Sequence, residues 1–272
     1  MPASLCPLFQ RDARKFVIRP KYVKRQKYGH TCRRGCPGLG RLDQCLEDPE
    51  LTDFIVPDLR ITPREGGYAR GQEGFEQILH AALEILVEEG SKALTLRRIA
   101  AACGMKAGNL AYYFPSKDEL LRELLNAIIS SYEQAFDVIV HDPAADAEQR
   151  LKRLVTLVLE DIRSKKTTRV FPELWAMSNH DPFVQERVHE LYERARVAIN
   201  ELIAEINPRL PVEERELVAL FISGSMEGMT MFAGYEKPFE SRMPALEQIA
   251  VKSFIHLIGS LEPGEIELPR RV

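Results

Sequence analysis

The chain has 272 residues, of which 45% are hydrophobic, and its formal net charge is −3. It can therefore build one or two apolar cores without help from disulfides or metals. No charge-poor apolar run reaches the ~20 residues of a membrane helix, and residues 1–10 lack the basic and apolar regions of a signal peptide. Together with five irregularly spaced cysteines, these features predict a cytoplasmic protein with reduced thiols.

Residues 1–68 have weak periodicity and scattered Pro and Gly, and we predict that they form a basic, disordered extension. Residues 1–41 hold eleven Lys and Arg against one Asp, a balance of +10 that leaves −13 for the rest. A basic arm on an acidic body restricts any DNA contact to a local surface. The arm either adds salt-sensitive DNA affinity or results from an upstream start codon, and the sequence leaves both interpretations open.

The sequence contains two groups of potential zinc ligands, one in the extension and one in the C-terminal half: His30, Cys32, Cys36 and Cys45, and His180, Asp181 and His189. The cysteines lack the flanking pattern of a zinc finger, and nothing sets the histidines at ligand spacing. We therefore predict no metal and no cofactor.

From residue 71 onwards the apolar residues recur at helical spacing without a strand pattern, which predicts an all-α fold. The first helix should end at Gly90, because a left-handed glycine suits a helix C-terminus. Thr95 is a good N-cap for a short second helix that Gly104 ends, and a third helix should run over about 106–114. This pattern predicts a helix-turn-helix domain over residues 69–117.

Residues 118–272 continue as helices and predict a second domain for effector binding and dimerisation. Ser116 begins its first helix with an S-x-x-E capping box. The apolar stripes that follow predict helices near 120–136, 151–162, 168–178, 184–206, 212–235 and 244–261.

The third helix carries polar side chains that are unlike a buried face, namely Lys106, Asn109, Tyr112 and Tyr113. Lysine pairs with guanine acceptors or phosphate, asparagine bonds adenine, and tyrosine offers its hydroxyl to phosphate. Free N–H groups after Thr95, aided by Arg97, can hold a further phosphate. Ala100-Ala101-Ala102 with Gly104 should leave room where the two helices approach. We expect duplex DNA as the partner.

Residues 75–121, with Leu94-Thr-Leu-Arg-Arg-Ile-Ala100 and Gly108-Asn-Leu-Ala-Tyr-Tyr-Phe-Pro-Ser-Lys117, resemble the DNA-binding domain of TetR/AcrR-family bacterial regulators. The resemblance implies a homodimeric repressor that leaves its promoter when a small molecule binds. It also places eight residues at positions that commonly touch DNA: Thr95, Arg97, Lys106, Ala107, Asn109, Tyr112, Tyr113 and Lys117. The family usually has Tyr at the position of Ala111 and often His at that of Tyr113, so operator sequences do not transfer.

Four residues of the C-terminal domain are candidates for an apolar ligand cavity between helices, namely Phe171, Trp175, Met177 and Tyr192. Ordinary core packing is the alternative for the same residues. An aromatic, apolar lining favours a hydrophobic or amphipathic effector.

Gly224 and Gly228 lie one helical turn apart in an apolar helix, where each costs up to ~1 kcal/mol relative to alanine. Close approach of another backbone would offset that cost. In the resembling family the two terminal helices pair with their twins as a four-helix interface. We therefore expect a dimer interface that includes Phe221, Gly224, Gly228, Phe232, Phe254 and Leu257.

Other classes of function remain as alternatives, among them an activator or a regulator that a protein partner controls. An enzyme is disfavoured, because the sequence has no G-x-S-x-G elbow, H-E-x-x-H, P-loop or G-x-G-x-x-G motif opening a helix. A protein-interaction module that uses only the amphipathic helices is the third class.

Overall fold

The computed structural model describes residue 56 and residues 58–62 and 69–267 of the chain. This part of the chain is all-α, with nine α-helices and no strand. In chain order the helices are α1 (Ala69–Glu89), α2 (Leu96–Ala102), α3 (Ala107–Tyr113), α4 (Lys117–Val140), α5 (Ala147–Ile162), α6 (Lys165–Ser178), α7 (Pro182–Ile206), α8 (Val212–Ala233) and α9 (Met243–Ser260). Two 3₁₀ turns, Ser91–Ala93 and Glu240–Arg242, precede α2 and α9.

The ends of the first short helices follow the local signals in the sequence. Gly90 has a φ of 82° after α1, and Gly104 has a φ of 67° after α2, both in the left-handed region that favours glycine. The Thr95 hydroxyl caps α2 by accepting a hydrogen bond from the Arg98 N–H at 3.2 Å. Ser116 caps α4 in the same way. The ends of α1, α2 and α3 therefore lie within about two residues of the positions that these local signals predict.

The small residues in the last turn of α2 and in the turn that follows it have a different role from the one expected. Ala100 is buried, but Ala101 and Ala102 are exposed, and a Cβ atom added at Gly104 would meet no other atom within 4 Å. The expectation that they make room between two helices is wrong for these three positions. Gly104 is required for its backbone conformation, which reverses the chain between α2 and α3.

Two helices of the C-terminal domain begin earlier than their apolar stripes predict. α5 starts at Ala147 under a capping box, in which Asp146 accepts from the Gln149 N–H at 2.8 Å and its own N–H donates to the Gln149 side chain at 3.0 Å. α6 starts at Lys165, where Ser164 accepts from the Thr167 N–H at 3.1 Å. Both first turns are polar, so hydrophobic periodicity cannot detect them.

α7 is the central helix of this domain, since it contacts α4, α5, α6, α8 and α9. It ends as predicted before Asn207-Pro208. The buried Asn207 amide then donates to the carbonyls of Ile258 at 2.8 Å and Leu261 at 3.0 Å. These bonds hold the end of α9 against the end of α7.

Val56 and residues 58–62 pack on the helical body, although the sequence predicts a disordered extension through residue 68. Val56 is buried in the core, and the Arg60 N–H donates to the Ala127 carbonyl of α4 at 3.0 Å. Apolar residues at 56, 59 and 61 supply this contact. They are too few for a periodic signal in the sequence.

The candidate zinc ligands of the extension and its basic cluster lie outside the described residues. In the C-terminal domain, His180 and His189 are exposed, and Asp181 caps α7 by accepting from the N–H groups of Phe183 and Val184. Within the described ranges, no three His, Cys, Asp or Glu side chains are grouped to hold a metal ion. None of the helices described is long and apolar enough to cross a membrane.

Candidate DNA-binding surface and ligand cavity

α2 and α3 together present a polar surface, which we call the DNA-binding surface. Seven of the eight predicted contact residues are exposed there: Thr95, Arg97, Lys106, Ala107, Asn109, Tyr112 and Lys117. Tyr112 is 85% exposed, an unusual environment for a tyrosine unless its ring meets a partner. The inward face of the same unit is apolar, because Leu110 and Phe114 are fully buried.

The eighth residue, Tyr113, is half-buried and lies over α1. A Cβ atom added at Gly74 would lie 2.5 Å from the Tyr113 hydroxyl and 2.8 Å from the adjacent ring carbon. Glycine at position 74 therefore leaves room for the tyrosine ring. Tyr113 also stands edge-on to Tyr112, with ring centroids 5.5 Å apart, so its packing helps to orient its exposed neighbour.

Contacts between α1 and the short helices hold the DNA-binding surface in place. The rings of Phe75 and Phe114 stack with centroids 5.1 Å apart. The Gln77 side-chain amide donates to the Cys103 carbonyl at 3.4 Å at the end of α2. These contacts fix α3 on a rigid support, as positioning of base contacts requires.

One cation of this surface forms an ion pair with an acidic side chain, and three others form none among the described residues. Arg98 forms an ion pair with Glu89 at 2.6 Å, which turns it back toward α1. Among the described residues, no acidic group pairs with Arg97, Lys106 or Lys117. Three exposed cations around a helix-turn-helix provide the local positive charge that an acidic protein needs to contact phosphates.

A cavity lies inside the C-terminal domain, between α4, α5, α6, α7 and α8. Of the four residues predicted to line it, Phe171 and Tyr192 do so. Trp175 lies beside the lining, where its indole N–H donates to the Tyr192 hydroxyl at 2.8 Å, and Met177 is not part of the wall. The cavity volume is about 40 Å³, room for only a few water molecules.

The cavity also has polar groups that were not predicted from the sequence, and two of them are carboxylates. Asp161 accepts hydrogen bonds from the hydroxyls of Tyr132 and Thr167, each at 2.6 Å. Glu227 of α8 has the Tyr192 hydroxyl as a hydrogen-bonding partner. The pKa of Glu227 is raised to about 7 because burial and, to a smaller extent, the charge of Asp161 raise it by more than the hydrogen bond with Tyr192 lowers it.

The outer faces of α8 and α9 form an exposed apolar surface, which we call the α8/α9 face. Its large side chains are exposed by 38–62%, and they are Leu217, Leu220, Phe221, Met231, Phe232 and Ile249. Gly224 and Gly228 lie on the same face, and a Cβ atom added at either would meet nothing within 4 Å. Of the predicted interface residues, Leu257 is half-buried and Phe254 is buried in the core of its own chain, so Ile249 is the exposed apolar side chain that α9 offers.

A helix-turn-helix with an exposed polar helix, carried on a helical domain with an internal cavity, defines a DNA-binding transcription regulator. Two family models match the chain: "Bacterial regulatory proteins, tetR family" over residues 78–124 and "BetI-type transcriptional repressor, C-terminal" over residues 147–256. The protein belongs to the TetR family of bacterial transcriptional regulators. The resemblance inferred from the sequence is thereby confirmed.

Individual relatives agree with this assignment at modest identity. The chain is 29% identical over 159 residues to the nucleoid occlusion factor SlmA of Photobacterium profundum, covering 56% of this chain and 80% of that protein. It is 27% identical over 168 residues to the HTH-type transcriptional regulator BetI of Cronobacter sakazakii, covering 60% and 81%. A putative TetR-family regulator from Mesorhizobium loti has the same fold, with a TM-score of 0.53, 16% identity and coverage of 70% and 98%.

Proposed function

We propose that this protein is a homodimeric repressor that binds a near-palindromic operator and leaves it when a small molecule enters the cavity. The repressor assignment is supported by the match of residues 147–256 to a family of transcriptional repressors. We expect the protein to act in the cytoplasm, where bacterial DNA lies. The observation that carries the proposal is the position of α6, which contacts the cavity with one face and the DNA-binding domain with the other.

The cavity side of α6 consists of Thr167 and Phe171, which both line the wall. On its other side, the Glu173 carboxylate accepts a hydrogen bond from the Ser91 N–H at 3.1 Å and another from the Ser91 hydroxyl. The Lys165 ammonium donates to Glu88 at the end of α1 at 2.7 Å. Any shift of α6 is therefore transmitted to the junction between α1 and α2.

Because the cavity is small, a ligand that enters it would produce such a shift. A ligand larger than a few water molecules must move the walls apart, so it binds better to an expanded state than to the state described here. The population moves away from DNA by no more than this difference in affinity. The start of α6 also holds the end of α8, since the Thr168 hydroxyl accepts from the Tyr235 N–H at 2.8 Å, so expansion would reach the proposed dimer helix.

The α8/α9 face supports the dimer. Its exposed phenylalanines and two unobstructed glycines fit the close approach of a second copy, which would bury both. Two copies of α3 about one turn of DNA apart (~34 Å) would then read two half-sites.

A gel shift against the DNA upstream of the protein's own gene tests the proposal. We expect specific binding at moderate salt that the double variant Lys106→Ala, Tyr112→Ala abolishes, while a variant at exposed Glu84 on α1 binds normally. Intact binding by the double variant would contradict the assigned surface. Transcription that rises when the gene is present would favour an activator instead.

A further inference from the structure

Val56 and residues 58–62, which we call the strap, precede residue 78, where the family match begins. Val56 is only 5% exposed and belongs to the buried cluster that forms the core of the helices. The Leu59 and Ile61 side chains also pack against this cluster. Burial of these apolar side chains is the main contribution that docks a short segment without secondary structure of its own.

The strap lies across the junction between the two domains. Its Arg60 N–H donates to the Ala127 carbonyl in the middle of α4 at 3.0 Å, because a helix carbonyl has a second lone pair for a donor outside its own helix. Residues 60–62 line one crevice together with Phe75 of α1. Phe75 in turn supports the DNA-binding surface, since its ring stacks on that of Phe114.

The strap also reaches the wall of the cavity, through a lysine of α6. The Asp58 carboxylate lies 3.6 Å from the Lys166 ammonium, and the Lys166 side chain is only 12% exposed. The same ammonium lies 3.7 Å from Asp161 and 5.5 Å from the centroid of the Tyr132 ring, and both of these residues line the cavity. Because Asp58 is exposed, its ion pair contributes less to docking than the burial of Val56 does.

We propose that the strap holds α1, α4 and α6 in the DNA-binding arrangement, with Asp58 as a positioning residue that acts through Lys166. The inference rests on the proposed function, because it concerns the state that binds the operator. A segment that docks only when three helices keep one relative position stabilises that position by its free energy of docking. A ligand that displaces Asp161 or Tyr132 moves Lys166 away from Asp58, so expansion of the cavity and release of the strap favour each other.

Val56→Ser in the full-length chain tests the docking, since it places a hydroxyl among apolar side chains and changes no charge. Val138→Ser, at an exposed position of α4, is the matched control. We expect hydrogen exchange of the Arg60 amide to accelerate roughly ten-fold or more in Val56→Ser and not in the control. Exchange of the Ser91 amide, which donates to Glu173 across the junction of α1 and α6, should accelerate as well.

Operator affinity separates positioning from a contribution to stability alone. On the DNA upstream of the protein's own gene, Val56→Ser should bind roughly five-fold more weakly or worse, whereas Val138→Ser should bind normally. Both are compared well below their unfolding temperatures, where a segment that only adds stability leaves the affinity of the folded protein unchanged.

Asp58→Lys tests the connection through Lys166, because it places two ammonium groups side by side. Exchange of the Arg60 amide should accelerate, and operator binding should weaken even though added positive charge by itself favours DNA. In a Lys166→Met background this repulsion is absent, so Asp58→Lys should no longer accelerate the exchange.

Exchange of the Arg60 amide at the rate of an unstructured peptide in the unaltered protein overturns the proposal, because the strap would not be docked. A released strap that leaves both operator affinity and Ser91 exchange unaltered overturns it as well. If Val56→Ser does not fold, the Asp58→Lys cycle gives the same readouts. An unaltered protein that binds no operator contradicts the proposed function, whereas the exchange of Arg60 and Ser91 still decides whether the strap holds the junction.

Discussion

The backbone N–H of Ser91 donates a hydrogen bond to the carboxylate of Glu173 at 3.1 Å. This contact joins the turn between α1 and α2 to α6, a helix that also lines the cavity. The Ser91 hydroxyl donates to the same carboxylate, and Gly90 leaves the room that it needs, since a Cβ atom there would lie 3.1 Å from the Glu173 oxygen. Glu173, together with Lys165, thus connects the cavity domain to the DNA-binding domain.

Removing that side chain should loosen the connection. Glu173→Ala leaves both Ser91 donors without their acceptor, and we expect the free energy of unfolding to fall by about 1–3 kcal/mol. Hydrogen exchange of the Ser91 amide should accelerate more than that of amides in α8. Glu84→Ala, on the exposed side of α1, is the control, and an equal effect of both variants in urea denaturation would contradict the role given to Glu173.

The contact between Tyr113 and α1 predicts opposite results for two glycines of the same helix. Gly71→Ala meets open space and should stabilise the protein by up to about 1 kcal/mol through helix propensity. Gly74→Ala places a Cβ atom 2.5 Å from the Tyr113 hydroxyl, so the ring must move and the gain should disappear or reverse.

Operator affinity, measured by fluorescence anisotropy, should fall for Gly74→Ala and stay constant for Gly71→Ala. In a Tyr113→Ala background the two glycine substitutions should have the same effect on thermal unfolding. A difference that persists in that background would show that the ring is not the cause.

The α8/α9 face predicts that Gly224 is needed for contact with a second copy of the chain and not for packing within its own chain. In an isolated chain Gly224→Ala should be stabilising, because its Cβ atom meets nothing. If a second α8 approaches this glycine, Gly224→Leu should instead raise the dissociation constant of the dimer by at least ten-fold. Sedimentation equilibrium over a range of concentrations measures this, with Gly71→Leu as the control for general damage to a helix. A monomeric unaltered protein at micromolar concentration would rule out the interface.

The raised pKa of Glu227 predicts how stability depends on pH. Its pKa is raised from 4.5 to about 7 by burial and by Asp161, so the folded state holds a proton that the unfolded state has lost between these values. Stability should therefore fall as pH rises from about 5 to about 7 and level off above this range. One pKa unit corresponds to ~1.4 kcal/mol, so the total decrease should not exceed a few kcal/mol.

Glu227→Gln cannot titrate and should lose this part of the pH dependence. Urea denaturation of both proteins between pH 5 and pH 8 compares them, and the difference between their unfolding free energies should widen from pH 5 to about pH 7 and then stay constant. Parallel curves would mean that Glu227 keeps an ordinary pKa in the folded protein.

Parts of the fold and of the site that depend on neighbours in the chain could be predicted from the sequence. Thr95 and Ser116 cap their helices through N–H groups three residues later, and Gly90 ends α1, since all these interactions lie within one helical turn. The exposed face of α3 follows from the same short period, because burial of Leu110 and Phe114 turns Lys106, Asn109 and Tyr112 outward.

Only the tertiary structure decided which distant side chains meet in the cavity and which apolar side of a helix stays exposed. Asp161 and Glu227 resemble ordinary solvated charges in the sequence, and they face one cavity because α5 and α8 pack against each other and against α7. α8 and α9 are apolar on more than one side, so a helical period alone could not distinguish buried Phe254 from exposed Ile249. The sequence by itself determined the helices and their ends through local hydrogen bonds, whereas the pocket chemistry and the free face depend on the packing of whole helices against one another.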